Sequence, residues 1–196
     1  MQTHQPYSEI NNFLRSRRST FISNFTGEKI ADNLIQDILE NAIYAPTHKL
    51  TEPWQFKVFS GTGLSKLTAE MADIYKNTTP SELFSVEKHA KFAENEKKVS
   101  HVIAICMQRD KAERIPELEE ICAVACAVQN IYLSVNAYGL GGYWSTGNGA
   151  FTAQMHTFLE LGEKDRCLGF FYVGVPATQQ GQAKRSPLTS KVTWIK

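Results

Sequence analysis

Three short stretches of this chain hold side chains whose types and spacing suit a flat, polar ligand that carries an anionic group. In "RRST", Arg17 to Thr20, two guanidiniums stand beside two hydroxyls. Arginine offers a planar fork of donors and serine adds one more, which is the chemistry of a phosphate site, although a basic run is also common as a solvated face. "YAPTHKLTEPWQF", Tyr44 to Phe56, sets Tyr44 and His48 around Pro46. A histidine there reads either as a pH-dependent hydrogen-bonding group or as an ordinary surface side chain. "GLGGYWSTGNG", Gly139 to Gly149, is rich in glycine but follows a helical pattern and precedes a strand. Dinucleotide fingerprints and P-loops need the glycines to open a helix, so both are excluded. Two readings remain: a helix cap with a tight turn, or a backbone that approaches a flat ring, with Trp144 as an aromatic surface and Ser145 and Thr146 as donors. A second basic pair, Lys184 and Arg185, follows much later.

Other chemistries are missing from the pattern. No Ser-His-Asp or Cys-His order and no carboxylate cluster points to hydrolysis. Cys106, Cys122, Cys126 and Cys167 form no CxxC pair and have no histidine at ligand spacing, so they are expected to be buried free thiols, and no metal is expected. His101 and His156 sit in apolar patterns and are expected to be satisfied core residues. The net charge of +1 creates no global field towards nucleic acid or an anionic membrane, so neither is an expected partner. The N-terminal stretch lacks the apolar core of a signal peptide, which makes the cytoplasm the expected location.

The elements that must position these groups follow from hydrophobic periodicity. Ile30, Leu34, Ile38 and Ala42 predict a helix from about Glu28 to Tyr44, with Thr26 as its N-cap and Pro46 as its stop. "YSEINNFLRS" predicts a short helix before the arginines; Leu64, Leu67, Met71 and Ile74 predict another, and "SELFSVEKHAKFAENEKKV" a more polar one. "QFKVFSG", "HVIAICM", "YWS" and "CLGFFYVGV" read as strands, and "TAQMHTFLEL" as a helix closed by Gly162. From Ile121 to Leu159 there is no Asp, Glu, Lys or Arg, yet Gln129, Asn130, Asn136 and "GLGG" interrupt the run, so burial explains it better than a membrane. A helix from about Pro116 to Tyr138, with three early glutamates at its positive end, should be buried on nearly all sides, in part by another subunit. At 196 residues, 42% apolar and 21% charged, one domain over 1–196 of the α/β or α+β sandwich class is expected.

Taken in order, "RRS", "APTHKLTEPWQF", "YGLGGYWSTG", "LGFFYVGVP" and "KRSPL" make the chain similar to the nitroreductase family of FMN-dependent oxidoreductases, over nearly its whole length. The resemblance implies an α+β fold: an α/β/α sandwich whose central, mostly antiparallel sheet is flanked by helices, in an intertwined homodimer with FMN at the subunit interface. It implies that Arg17, Arg18 and Ser19 hold the phosphate and ribityl end, that Trp144, Ser145 and Thr146 lie close to the flavin, and that Arg185 with Lys184 adds a phosphate contact. Tyr44 and His48 would reach the partner's flavin. The implied reaction is ping-pong: NADH or NADPH gives hydride to flavin N5, and a nitroaromatic or quinone-like acceptor takes it, with no catalytic side chain required. Where many relatives carry a basic residue two places after the serine, this chain has Phe21, and segment 76–98 has no matching motif. A dehydrogenase of an unknown metabolite and a non-enzymatic flavin-binding redox protein are the alternative readings.

Overall fold

The computed structural model describes residues 8–147, 149–178, 181 and 183–196. Tyr7, at the head of the expected first helix, and Asn148, in the glycine-rich stretch, lie outside them. Four strands, β1 (Trp54–Phe59), β2 (His101–Met107), β3 (Gly141–Ser145) and β4 (Arg166–Gly174), form one antiparallel sheet in the order β1-β2-β4-β3. Side chains alternate across a strand. Val102, Ala104 and Cys106 of β2 therefore enter one core with Leu64, Leu67, Met71 and Ile74 of α3 (Gly61–Thr78) and Met155 of α6 (Ala153–Phe158). Ile103, Ile105 and Met107 enter the other, with α2 (Asp32–Ala42) and α5 (Glu117–Ala137). Both faces of the sheet are covered, which is why "HVIAICM" is apolar without alternation. This is the expected α/β/α sandwich of the α+β class.

Two further helices complete the frame: α1 (Ser8–Ser16) before the arginines, and α4 (Val86–Lys98), whose N-cap Ser85 accepts from the Lys88 amide at 3.2 Å. α2 starts later than its periodicity suggests. Thr26 Oγ1 accepts from the Glu28 amide in a turn where Gly27 has φ 90°, and the Ile30 amide donates to Ser100 Oγ at 2.7 Å. Those bonds tie residues 26–30 to the start of β2, so the helix opens at Asp32. Ser100 Oγ also bonds His101 Nδ1 at 3.0 Å, and His101 Nε2 bonds Asp32 Oδ1 at 2.9 Å. His101 is thus buried and satisfied, whereas His156 is half-buried and bonds the Gly162 carbonyl at 3.0 Å.

α5 is long and apolar enough to cross a bilayer, but Val124, Ala127, Val128, Ile131 and Val135 pack beneath the sheet. One of its three early glutamates does more than face the helix dipole. Glu120 is fully buried, pairs with Arg109 and accepts from the Asp110 amide at 3.0 Å. The expectation for the cysteines needs correction as well: Cys106 and Cys167 are buried opposite one another on β2 and β4, but Cys122 and Cys126 are exposed. Four-residue spacing places these two with exposed Leu118 on the face of α5 that points away from the sheet.

Candidate functional site

α5 closes with a Schellman motif, in which the Leu140 amide donates to the Val135 carbonyl at 2.9 Å and the Gly139 amide to the Asn136 carbonyl at 3.1 Å, with Gly139 at φ 69°. This brings the C-terminal turns of α5 alongside the strand that follows. Gly141 and Gly142 then lie against Thr20, Phe25 and Phe171, so the close approach they allow is of protein onto protein. The arginine arm crosses the same place. Asn136 Nδ2 donates to Ser16 Oγ at 2.9 Å, and the Thr20 amide donates to the Gly142 carbonyl at 3.0 Å.

Between these two anchors the Arg17 guanidinium lies 4.7 Å from the centroid of the Tyr132 ring, and Ser19 Oγ is 3.4 Å from the Tyr132 hydroxyl. That hydroxyl accepts from the Trp144 amide at 2.8 Å, and the ring meets Phe171 edge-on at 4.7 Å. Arg17 Nη1 and Trp144 Nε1 are buried donors without a partner. Buried polar groups are almost always paired, so orphaned donors on two residues that contact one phenol mark groups a ligand is expected to satisfy. A side chain at Gly169, where φ is 118°, would meet the Ser145 carbonyl oxygen at 2.4 Å and Trp144 Nε1 at 2.9 Å, so β4 can support Trp144 only with glycine there. A cavity of about 660 Å³, lined among others by Arg15, Arg18, Thr20, Tyr132, Asn136 and Thr178, meets the cluster at Tyr132 only; Arg17, Ser19 and Trp144 do not line it.

The remaining expected residues divide into two groups. Arg18 lines the cavity but is committed to carbonyls: its Nε donates to Gly181 at 2.8 Å, and its Nη1 to Arg15 at 2.6 Å and Arg17 at 2.8 Å. Ser145 Oγ accepts from the Gly147 amide at 3.3 Å, Thr146 is exposed beyond the end of β3, and Lys184 and Arg185 are exposed just after Ala183 of the cavity wall. Tyr44 and His48 stand apart, joined to the arginine cluster by no hydrogen bond or ring contact among the described residues. Tyr44 is 79% exposed, and His48 Nδ1 pairs with Glu119 Oε2 at 2.5 Å. The loop that presents them is strained, with positive φ at Lys49 (51°), Leu50 (52°) and Glu52 (44°). Such conformations cost about 1–3 kcal/mol each and persist where surrounding contacts over-determine them. Here the Glu52 amide donates to Thr47 Oγ1 at 3.1 Å and Lys49 Nζ to the Arg114 carbonyl at 3.0 Å.

Phe21 is exposed and lies 5.0 Å from the Tyr143 ring, whose phenol is pushed well above its ordinary value by burial and by the neighbouring tyrosines. Tyr132 is the residue that sequence reasoning missed. Its signal was a phenol four residues before Asn136 in a stretch free of charge, where polar atoms need a stated partner.

Comparison with known proteins bears on the family and the fold. The model described as the nitroreductase family matches residues 14–175. A Bacillus subtilis protein named as an NAD(P)H nitroreductase is 31% identical over 193 residues, covering 98% of this chain and 96% of its own. The solved nitroreductase-like family protein from Bacillus cereus superposes with a TM-score of 0.79 at 25% identity, covering 100% of this chain and 99% of the other. The FMN-dependent nitroreductase NfnB from Mycobacterium smegmatis, solved in complex with NADPH, gives 0.74 at 15% identity, covering 98% and 100%.

Proposed function

From the premise that the chain belongs to the nitroreductase family, we propose that it is an FMN-dependent NAD(P)H oxidoreductase whose acceptor is a nitroaromatic or a quinone-like compound. The observation that carries this reading is the pair of orphaned buried donors, Arg17 Nη1 and Trp144 Nε1, on two residues that both contact Tyr132. A cationic donor suits a phosphate and an indole N–H suits a polar ring edge, so the residues present fit FMN. When bound, FMN supplies hydride chemistry at N5, which lets NAD(P)H and the acceptor react in turn by a ping-pong scheme.

The side chains of this protein bind and orient. Arg17 and Ser19 hold the phosphate end, and Arg18, anchored on the Gly181 carbonyl, keeps the arm closed. Trp144 with Ser145 and Thr146 borders the flavin, and Lys184 and Arg185 add positive charge at the phosphate end. The unit is a single FMN-binding domain over 1–196 that works as a homodimer with FMN at the interface. Exposed Ile43, Tyr44, Leu50 and Leu118 with Cys122 and Cys126 form the apolar surface for the second copy, from which Tyr44 and His48 reach the other subunit's flavin. Four free cysteines suit the reducing cytoplasm, where NAD(P)H is also at hand.

The test is the absorbance spectrum of the purified protein, followed by anaerobic addition of NADH or NADPH and then of a panel of acceptors. Flavin bands that bleach with the donor and return with a nitroaromatic or quinone are expected. A colourless protein that takes up no FMN would refute the proposal, and reoxidation by a metabolite alone would redirect it to a dehydrogenase.

A further inference from the structure

We propose that Tyr132 is the positioning residue that makes the arginine arm and strand β3 act as one flavin-holding unit. The inference rests on the FMN reading and adds to it a coupling between the two ends of the ligand. The Thr20 amide and the Phe21 ring also join the arm to β3, at Gly142 and Tyr143, but among the described residues Tyr132 alone contacts both Arg17 and Trp144 by a hydrogen bond or ring contact. Its ring lies beneath Arg17 at 4.7 Å, and its hydroxyl accepts from the Trp144 amide at 2.8 Å and stands 3.4 Å from Ser19 Oγ. The side chain cannot easily turn away. Phe171, fully buried in the sheet, holds its ring edge-on at 4.7 Å, and buried Ile131, Val128 and Val135 fix this part of α5.

Three consequences follow for the ligand. A cation over a ring face is held by the ring quadrupole, so Arg17 keeps Nη1 in the buried gap instead of extending it to solvent. The phenol oxygen accepts from the Trp144 amide and its O–H is available to donate to Ser19 Oγ, an arrangement in which the serine proton can serve an anion. Trp144, with its amide occupied, offers the ligand its indole N–H alone. Contacts at the phosphate end and the ring end are therefore cooperative, because both depend on one phenol.

The experiment is a double-mutant cycle on the full chain, stripped of flavin and titrated with FMN. Tyr132→Leu should weaken FMN binding by about tenfold or more, and Arg17→Ala should then cost about threefold or less in that background, against about tenfold or more in the wild type. Tyr132→Phe keeps the ring face and should retain the full Arg17→Ala penalty, while changing the visible circular dichroism of bound flavin because Ser19 and the Trp144 amide lose their partner. Equal Arg17→Ala penalties in the wild-type and Tyr132→Leu backgrounds overturn the coupling. Should Tyr132→Leu fail to fold, an unchanged flavin spectrum in Tyr132→Phe overturns it instead. A wild-type chain that binds no FMN overturns the flavin reading, and the coupling with it.

Discussion

Replacing Arg17 by alanine separates a ligand-binding arginine from a structural one. In the free protein the substitution removes a cation–π contact worth about 0.5–2 kcal/mol. It also removes a buried donor that has no partner, whose burial costs about 1–3 kcal/mol. The two terms oppose each other, so the melting temperature of the flavin-free chain should shift by only a few degrees. With FMN bound the balance changes, because Nη1 then donates to an anion in a charge-assisted bond worth about 1.5–3 kcal/mol. At about 1.4 kcal/mol per factor of ten, Arg17→Ala should raise the Kd for FMN about 10- to 150-fold. Arg15 is the control. It lines the cavity from exposed α1, and the hydrogen bond it makes to the arm is through its carbonyl, which accepts from Arg18 Nη1 at 2.6 Å and survives truncation of the side chain. Arg15→Ala should therefore change the Kd by about threefold or less, since an exposed charge is well screened. Flavin fluorescence titrations of the three stripped proteins, paired with their melting curves, read both quantities. Equal Kd values for the two variants would refute the reasoning, as would a large loss of stability in flavin-free Arg17→Ala.

Three further outcomes are expected. In a heterodimer of a His48→Ala chain with an Arg17→Ala, Ser19→Ala chain, one site collects both defects, so about half the flavin sites should keep normal affinity and turnover; no normal site should remain if His48 serves its own chain. Cys122 and Cys126, exposed on the single chain, should resist thiol labelling in the native protein because an interface of about 2,000 Å² or more covers them; rapid labelling of both in the flavin-bound protein would remove this dimer geometry. Arg114 holds the Asp110 carboxyl down to about 2, below its ordinary 3.8, so the unfolded chain takes the proton first. The stability this pair provides is present above about pH 4 and is lost as pH falls towards 2, and urea midpoints measured across that range should fall less steeply for Asp110→Asn than for the wild type.

Much of this molecule is legible in its sequence because the signals are local. The three- and four-residue returns of Leu64, Leu67, Met71 and Ile74, the unbroken apolar run of β2 and the glycine after Tyr138 each report on one element and the period of its backbone. The order of five short motifs is likewise a linear property, and it points to the family without any contact being known. Tertiary structure decided what no period carries. Arg17 lies far along the chain from Tyr132 and Trp144, and meets Tyr132 because the arm after α1 is pinned to Asn136 and Gly142. Glu120 reads as a helix-dipole residue until the 108–116 loop turns back and pairs it with Arg109. Ile30 reads as helical until the Ser100 hydroxyl takes its amide. The four cysteines look alike in the sequence, yet the sheet buries two and α5 turns two outward. In each case the deciding partner is set by the path on which the chain returns, and that path is a property of the packed core as a whole rather than of any one segment.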